Sequence, residues 1–239
     1  MIIVHNTVFD LDYKDIVDPR IALITDTMMA GYDCLSNRDF SGRDNHFSWG
    51  GGYNSQGAIL ADDTNHVIQT PVIEEDEMTI ITCWNLSSGS TQASLINNLD
   101  TSTTAYRGTR LSRLSGSQGQ FDIATGIATP PVTSSPIGVA GAWTIRAMTW
   151  NKTTYREIFH SGTISRETPL TNGRAKNVSR GFSVNGVPAG VPGGGITAGV
   201  TGTLGFLLFY NEYIDPAVAK SRMDAVTDIM NYQRAVIVP

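Results

Sequence analysis

Along most of this chain apolar residues recur at every second position in short runs, and Gly, Pro, Asn and Asp interrupt the runs. That is the pattern of short β-strands joined by turns. The clearest run is Trp143–Trp150, where Trp143, Ile145, Ala147 and Thr149 alternate with Thr144, Arg146, Met148 and Trp150. Asn151-Lys152-Thr153-Thr154 reads as a hairpin turn after it. Residues 155–160 form the return strand, with Tyr155, Glu157 and Phe159 on one face and Arg156, Ile158 and His160 on the other. In residues 78–84, Met78, Ile80, Thr82 and Trp84 share one face, and Thr79, Ile81 and Cys83 the other. Both faces are apolar enough for a central strand. Residues 203–210 (TLGFLLFY) read as a second buried strand.

Weaker strand signals cover residues 2–4, 8–13, 67–72, 91–96, 110–114, 121–127 and 180–184. Residues 37–45, 129–136 and 187–202 read as loops. Asp18-Pro19 starts a turn or helix, and residues 20–29 fit either a helix or a strand. The period changes after residue 210. Asp215 caps and Pro216 opens a helix. Ala219, Met223, Val226 and Met230 give it one apolar face, and it should end near Gln233. Residues 235–238 (AVIV) then read as a final strand. Two packed antiparallel sheets with one C-terminal helix follow from this order. The expected layout is a single all-β domain over 1–239: an N-terminal segment at 1–35 that would help to dock it, a sandwich core at 36–210, a helix at 215–233 and a strand at 235–238.

Composition narrows the function. The net charge is −5 and there are only four lysines, Lys14, Lys152, Lys176 and Lys220. No basic stripe exists to neutralise phosphates, so nucleic acid is not an expected partner. No run reaches the roughly 18 apolar residues of a membrane span, so no membrane insertion is expected. Cys34 and Cys83 are the two cysteines, and a chain of 239 residues needs no staple, so free thiols are expected. The N-terminus shows no basic-then-apolar leader.

In the second half of the chain, GAWTIRAMTWN, YREIFHSG and GTLGFLLFYNEYIDPAVAKSRMDAV form a strand, its return and a last strand with helix. Together they resemble the concanavalin A-like lectin and glucanase (laminin G-like) superfamily. Gly205, Leu207, Phe209, Tyr210, Asn211 and Ile214-Asp215-Pro216 stand in the places of that family's last strand, polar turn and helix start. Phe40–His46 resembles its polar loop before the first core strand. The resemblance spans roughly residues 36–235 and implies a jelly-roll β-sandwich. The family's usual Asp-Gly hairpin is replaced by Asn151-Lys152-Thr153-Thr154.

Candidate chemistry is sparse. Glucanases of that superfamily carry E-x-D-x-x-E on one strand, but here the acids are contiguous, Glu74-Glu75-Asp76-Glu77, and point alternately to opposite faces. They read as a solvated acidic turn. His5, His46, His66 and His160 lack zinc spacing. Calcium is the family's common ion; Asp39 and Asp44 with Asn45, and Asp62 and Asp63 with Asn65, are the oxygen-rich loops that would hold it, against a plain reading as turn formers. No cofactor is otherwise expected. Trp49 and Tyr53, flanking Gly50-Gly51-Gly52, are the candidates for stacking on a sugar, with core packing as the competing reading. Trp84, Trp143 and Trp150 read as core.

These features lead to the expectation of a non-catalytic bacteriophage virion protein, a tail or fibre adhesin or a head or tail decoration protein. Its partners would be other virion proteins and a host-surface glycan, and it would be made in the host cytoplasm as a homo-oligomer. The alternatives are a soluble carbohydrate-binding lectin module and a divergent glycoside hydrolase.

Overall fold

A computed structural model describes residues 18–87, 92–139 and 142–239. The strands expected over 2–4 and 8–13, and His5, lie outside the described residues. In chain order the strands are β1 (Met28–Tyr32), β2 (Tyr53–Asn54), β3 (Gly57–Leu60), β4 (Ile68–Gln69), β5 (Met78–Leu86), β6 (Ala93–Asn97) and β7 (Thr109–Ser115). Then follow β8 (Gln118–Ala124), β9 (Val132–Gly138), β10 (Trp143–Trp150), β11 (Thr154–Phe159), β12 (Ile164–Pro169), β13 (Ser183–Val184) and β14 (Gly202–Tyr210), and the helix α1 (Pro216–Arg234).

The strands form two antiparallel sheets. One has the order β12-β11-β10-β5-β14-β3-β2, with β1 also paired to β14. The other has the order β4-β13-β6-β7-β8-β9. Strands β5 and β14 are central because both of their faces are apolar, as the sequence indicates. Met78, Ile80, Trp84, Leu204, Leu207 and Phe209 point into the space between the sheets. Ile81, Cys83, Phe206, Leu208 and Tyr210 point to the opposite face. There α1 covers them with Ala219, Met223, Val226, Ile229 and Met230. Burying each of these larger side chains contributes about 1.5–3 kcal/mol, so the helix is held by its apolar stripe. A register shift between Leu204 and Phe206 brings the alternation back into phase. Gly205 sits in that bulge, and a Cβ there would lie 2.9 Å from Met230 Cε, so the missing side chain lets the helix approach.

Across the sandwich, Phe121 of β8 stacks on Tyr155 of β11 with ring centroids 4.5 Å apart. Trp150 packs beside Phe121 at 5.5 Å. The hairpin after β10 closes as expected, with Asn151 N–H donating to Thr154 O and Asn151 Oδ1 accepting from Thr153 N and Thr154 N. Asp215 Oδ1 accepts from Ala217 N and Val218 N, so the helix cap is also as expected.

Several expectations need correction. Residues 235–238 form no strand: Ala235 ends α1 in the left-handed region at φ 52°, and Val236 and Val238 turn back onto the helix cluster. An apolar tail can be buried by a helix as well as by a strand partner. Residues 132–136, part of the loop expected over 129–136, belong to β9; it is an edge strand, and such a strand tolerates Pro136, which has no N–H to donate. The core does not begin at residue 36, because β1 pairs with β14 and Ala30 and Tyr32 are fully buried. Residues 20–29 divide between a 3-10 turn (Pro19–Leu23) and the start of β1. Residues 180–184 shrink to the two-residue β13, and 67–72 to β4. The acidic run is solvated only in part: Glu75, Asp76 and Glu77 reach solvent, but Glu74 has no exposure and pairs with Arg174 at 2.5 Å. Burial pushes its carboxyl upward, against the pull of that guanidinium. Cys34 and Cys83 are free and buried, as expected.

Candidate ligand-binding sites

The sequence pattern already places a charge on an inward face. On β10, Arg146 shares its face with Met148 and Trp150, which belong to the sandwich core. On β11, Glu157 shares its face with Tyr155, also core. The hairpin register sets Arg146 opposite Phe159 and Met148 opposite Glu157. The two charges therefore meet diagonally at one end of the sandwich, where Arg146 Nη1 donates to Glu157 Oε1. Ser165 Oγ, from β12, donates to Glu157 Oε2 at 2.5 Å. The Arg146 guanidinium also lies 4.9 Å from the centroid of the Phe159 ring, which is 40% exposed.

A cleft of about 610 Å³ opens at this place. Its wall on the larger sheet carries Glu157, Phe159, Ser165 and Arg166, and its wall on the smaller sheet includes Gln118, Gln120 and Ser134. Gly138 completes the second wall, and a Cβ there would lie 3.2 Å from Arg146 Nη2, so its bareness leaves room for the guanidinium. A smaller cavity of about 230 Å³, lined by Trp143, Arg146, Phe159 and His160, continues past the same Arg146–Phe159 pair. Among the described residues Glu157 is the one carboxylate lining the cleft, and both its oxygens are engaged. Hydrolysis by paired carboxylates needs a second about 5–9.5 Å away.

The expected aromatic pair lies elsewhere, by β2 at the other edge of the larger sheet. Trp49 and Tyr53 meet edge to face at 4.8 Å, and His66 stands 6.1 Å from Trp49. Trp49 is only partly exposed and packs against the sandwich core, whereas Tyr53 is 38% exposed. A Cβ on Gly51 would sit 2.3 Å from Trp49 Cζ2, so the glycine run lets the indole lie flat on the backbone. His66 links this corner to Asp63, whose Oδ1 lies 2.8 Å from His66 Nδ1. That contact holds the Asp63 carboxyl below the usual range. Asp62 and Asp63 line a cavity of about 480 Å³ with Val67, Val187 and Pro188.

Three of the four aspartates considered for calcium, Asp39, Asp62 and Asp63, are occupied in loop building. Asp39 accepts from Gly31 N, Ser41 N, Ser41 Oγ and Asn45 N, which ties the polar loop to β1. Asp44 points into solvent. Asp62 accepts from Gly199 N, and Asp63 caps the turn Thr64–His66. Among the described residues no group of three or more His, Cys, Asp or Glu is placed to hold a metal ion. Among the described residues no helix is long and apolar enough to cross a membrane.

No protein-family model matches the sequence, and no curated protein matches it. Solved structures do match in shape. The fold is shared with binding domains of botulinum neurotoxins and of Paraclostridial Mosquitocidal Protein 1. The ligand-binding domain of botulinum neurotoxin serotype D, solved in complex with N-acetylneuraminic acid, matches with a TM-score of 0.63 at 10% identity, over 85% of this chain and 52% of that one. The receptor-binding domain of botulinum neurotoxin type G matches with a TM-score of 0.64 at 11% identity, over 84% and 52%. The binding domain of Paraclostridial Mosquitocidal Protein 1 matches with a TM-score of 0.63 at 11% identity, over 85% and 53%. This chain thus spans about half the length of these solved domains. The likeness bears out the β-sandwich fold.

Proposed function

We propose that this chain is a non-catalytic saccharide-binding module, with the cleft at Arg146, Glu157 and Phe159 as its binding site. The observation that carries the reading is the cleft itself. It presents hydroxyl and amide groups from Gln118, Ser134 and Ser165 beside a half-exposed aromatic ring, Phe159. Sugars need both, hydrogen-bond partners for their hydroxyls and an aromatic edge or face for their C–H surface. The Arg146–Glu157 pair fixes the floor, so little ordering is left for binding to pay. Support from kinship in shape is that the similar domains are named for receptor and ligand binding.

A second site reading is favoured by Tyr53, whose exposed ring packs on Trp49; Trp49 in turn stands 6.1 Å from His66, the partner of Asp63. Placement of the module on the outside of a bacteriophage particle, as a homo-oligomer, is the narrower form of the proposal. Its support is the Lys-poor composition, and light scattering of the purified chain with immunolabelling of particles tests it.

A glycan array probed with the wild-type chain, Phe159→Ala and Tyr53→Ala decides between the sites. Cleft binding predicts that Phe159→Ala weakens retained glycans by roughly tenfold, about 1.4 kcal/mol, and that Tyr53→Ala changes nothing. The opposite pattern moves the site to the aromatic corner, and an empty array removes the function.

A further inference from the structure

We infer that the cleft selects a saccharide bearing a carboxylate, with Arg166 as the counter-charge; this rests on the saccharide-binding reading above. The argument is one of local charge. Arg146 and Glu157 neutralise each other, and their side chains are only 14% and 3% exposed. Arg156 and Glu167, on the other face of the same two strands, pair with each other at 2.5 Å. Arg166 is left over. It lies opposite Glu157 in the β11–β12 register, so both face the cleft, and it lines that cleft. Both Glu157 oxygens are already taken, by Arg146 and Ser165. Arg166 is solvent-exposed and forms no hydrogen bond or ion pair among the described residues. Among the described residues, every other lining residue besides Glu157 is uncharged.

The cleft therefore carries a net single positive charge on a chain whose net charge is −5. A guanidinium is a planar fork that grips a carboxylate through two parallel N–H···O bonds. One free Arg matches one carboxylate, and the uncharged Ser and Gln side chains suit the hydroxyls of the ring that bears it. A neutral sugar would make the second set of contacts and not the first.

The test is calorimetric titration of the full chain with uronic acid-containing disaccharides, each beside the neutral disaccharide of the same linkage and a sulfated counterpart. The inference expects one acidic disaccharide to bind at least roughly tenfold tighter than its neutral partner, with affinity falling as salt rises. Arg166→Gln should abolish that preference; the residue is exposed, so the variant folds, and an unchanged circular dichroism spectrum checks it. Equal affinity for acidic and neutral partners overturns the inference and leaves the saccharide reading standing. So does a preference for the sulfated sugar, or an acidic preference that survives Arg166→Gln. Absence of binding by every sugar overturns both.

Discussion

The Glu74 carboxylate and the Arg174 guanidinium stand 100 positions apart in the chain and meet at 2.5 Å, the two side chains only 0% and 3% exposed. Around them Asn177 N donates to Glu74 Oε2 at 2.9 Å, and Asn98 Nδ2 donates to the same oxygen at 3.2 Å. Arg174 Nη1 donates to Asp76 O. The pair thus joins the segment before β5, the turn after β6 and the long connection after β12.

Removing one partner strands the other. Glu74→Gln should cost about 3–5 kcal/mol, because a buried guanidinium is left uncompensated. The double variant Glu74→Gln with Arg174→Met should recover part of that loss. Urea denaturation of the four proteins in the cycle measures it, and a single variant within about 0.5 kcal/mol of wild type would contradict the buried pair.

Trp49 and Tyr53 touch, yet they should respond differently. Trp49 leans on the core, so Trp49→Ala should destabilise by about 3 kcal/mol. Tyr53 is exposed on a two-residue strand, and Tyr53→Ala should stay within about 0.5 kcal/mol. Thermal melts of both variants check this.

The two thiols should be chemically silent in the native protein. Burial pushes Cys34 far up and Cys83 up to about 12. At pH 8 the Cys83 thiolate fraction is then on the order of 10⁻⁴, and it is the thiolate that reacts. Native protein should take up no alkylating reagent over an hour, and urea-unfolded protein two equivalents, as read by mass spectrometry. Rapid native labelling would mean that a cysteine reaches solvent.

Arg20 bridges Asp18 at 2.7 Å and Asp33 at 2.6 Å, and its hydrogen bonds hold the Asp18 carboxyl below the usual range. A carboxyl depressed by folding stabilises above its unfolded pKa of about 3.9 and loses that effect as pH falls through the lower folded value. The pair is half exposed, so solvent screening limits it to about 0.5–1 kcal/mol. Asp18→Asn should therefore be less stable than wild type at neutral pH and match it near pH 2. A gap that persists in acid would assign the effect to something other than charge.

Much of the fold was legible in the chain. The alternation in Trp143–Trp150 and residues 78–84 gave both strands and both of their faces, and Ala219, Met223, Val226 and Met230 gave the buried stripe of α1. The cleft was half legible. The alternation put Arg146 beside Met148 and Trp150, and Glu157 beside Tyr155, without marking them as a site, and nothing local placed Ser165 and Arg166 beside them, because β12 has an exposed, patternless sequence. Glu74 was misread for the same reason: a run of four acids looks solvated until Arg174 arrives from far along the chain.

Sequence alone determined which residues alternate, where the hairpin after Trp150 falls and that an amphipathic helix follows the last long strand, since these follow from backbone geometry and the side chains within a few positions. The tertiary structure decided which strands lie at the edges, that residues 235–238 cover the helix cluster without joining a sheet, and that the two sheets part at Gly138 to leave a charged cleft. Those outcomes depend on contacts between residues distant in the chain, and no local pattern encodes the partner of a strand or of a buried charge.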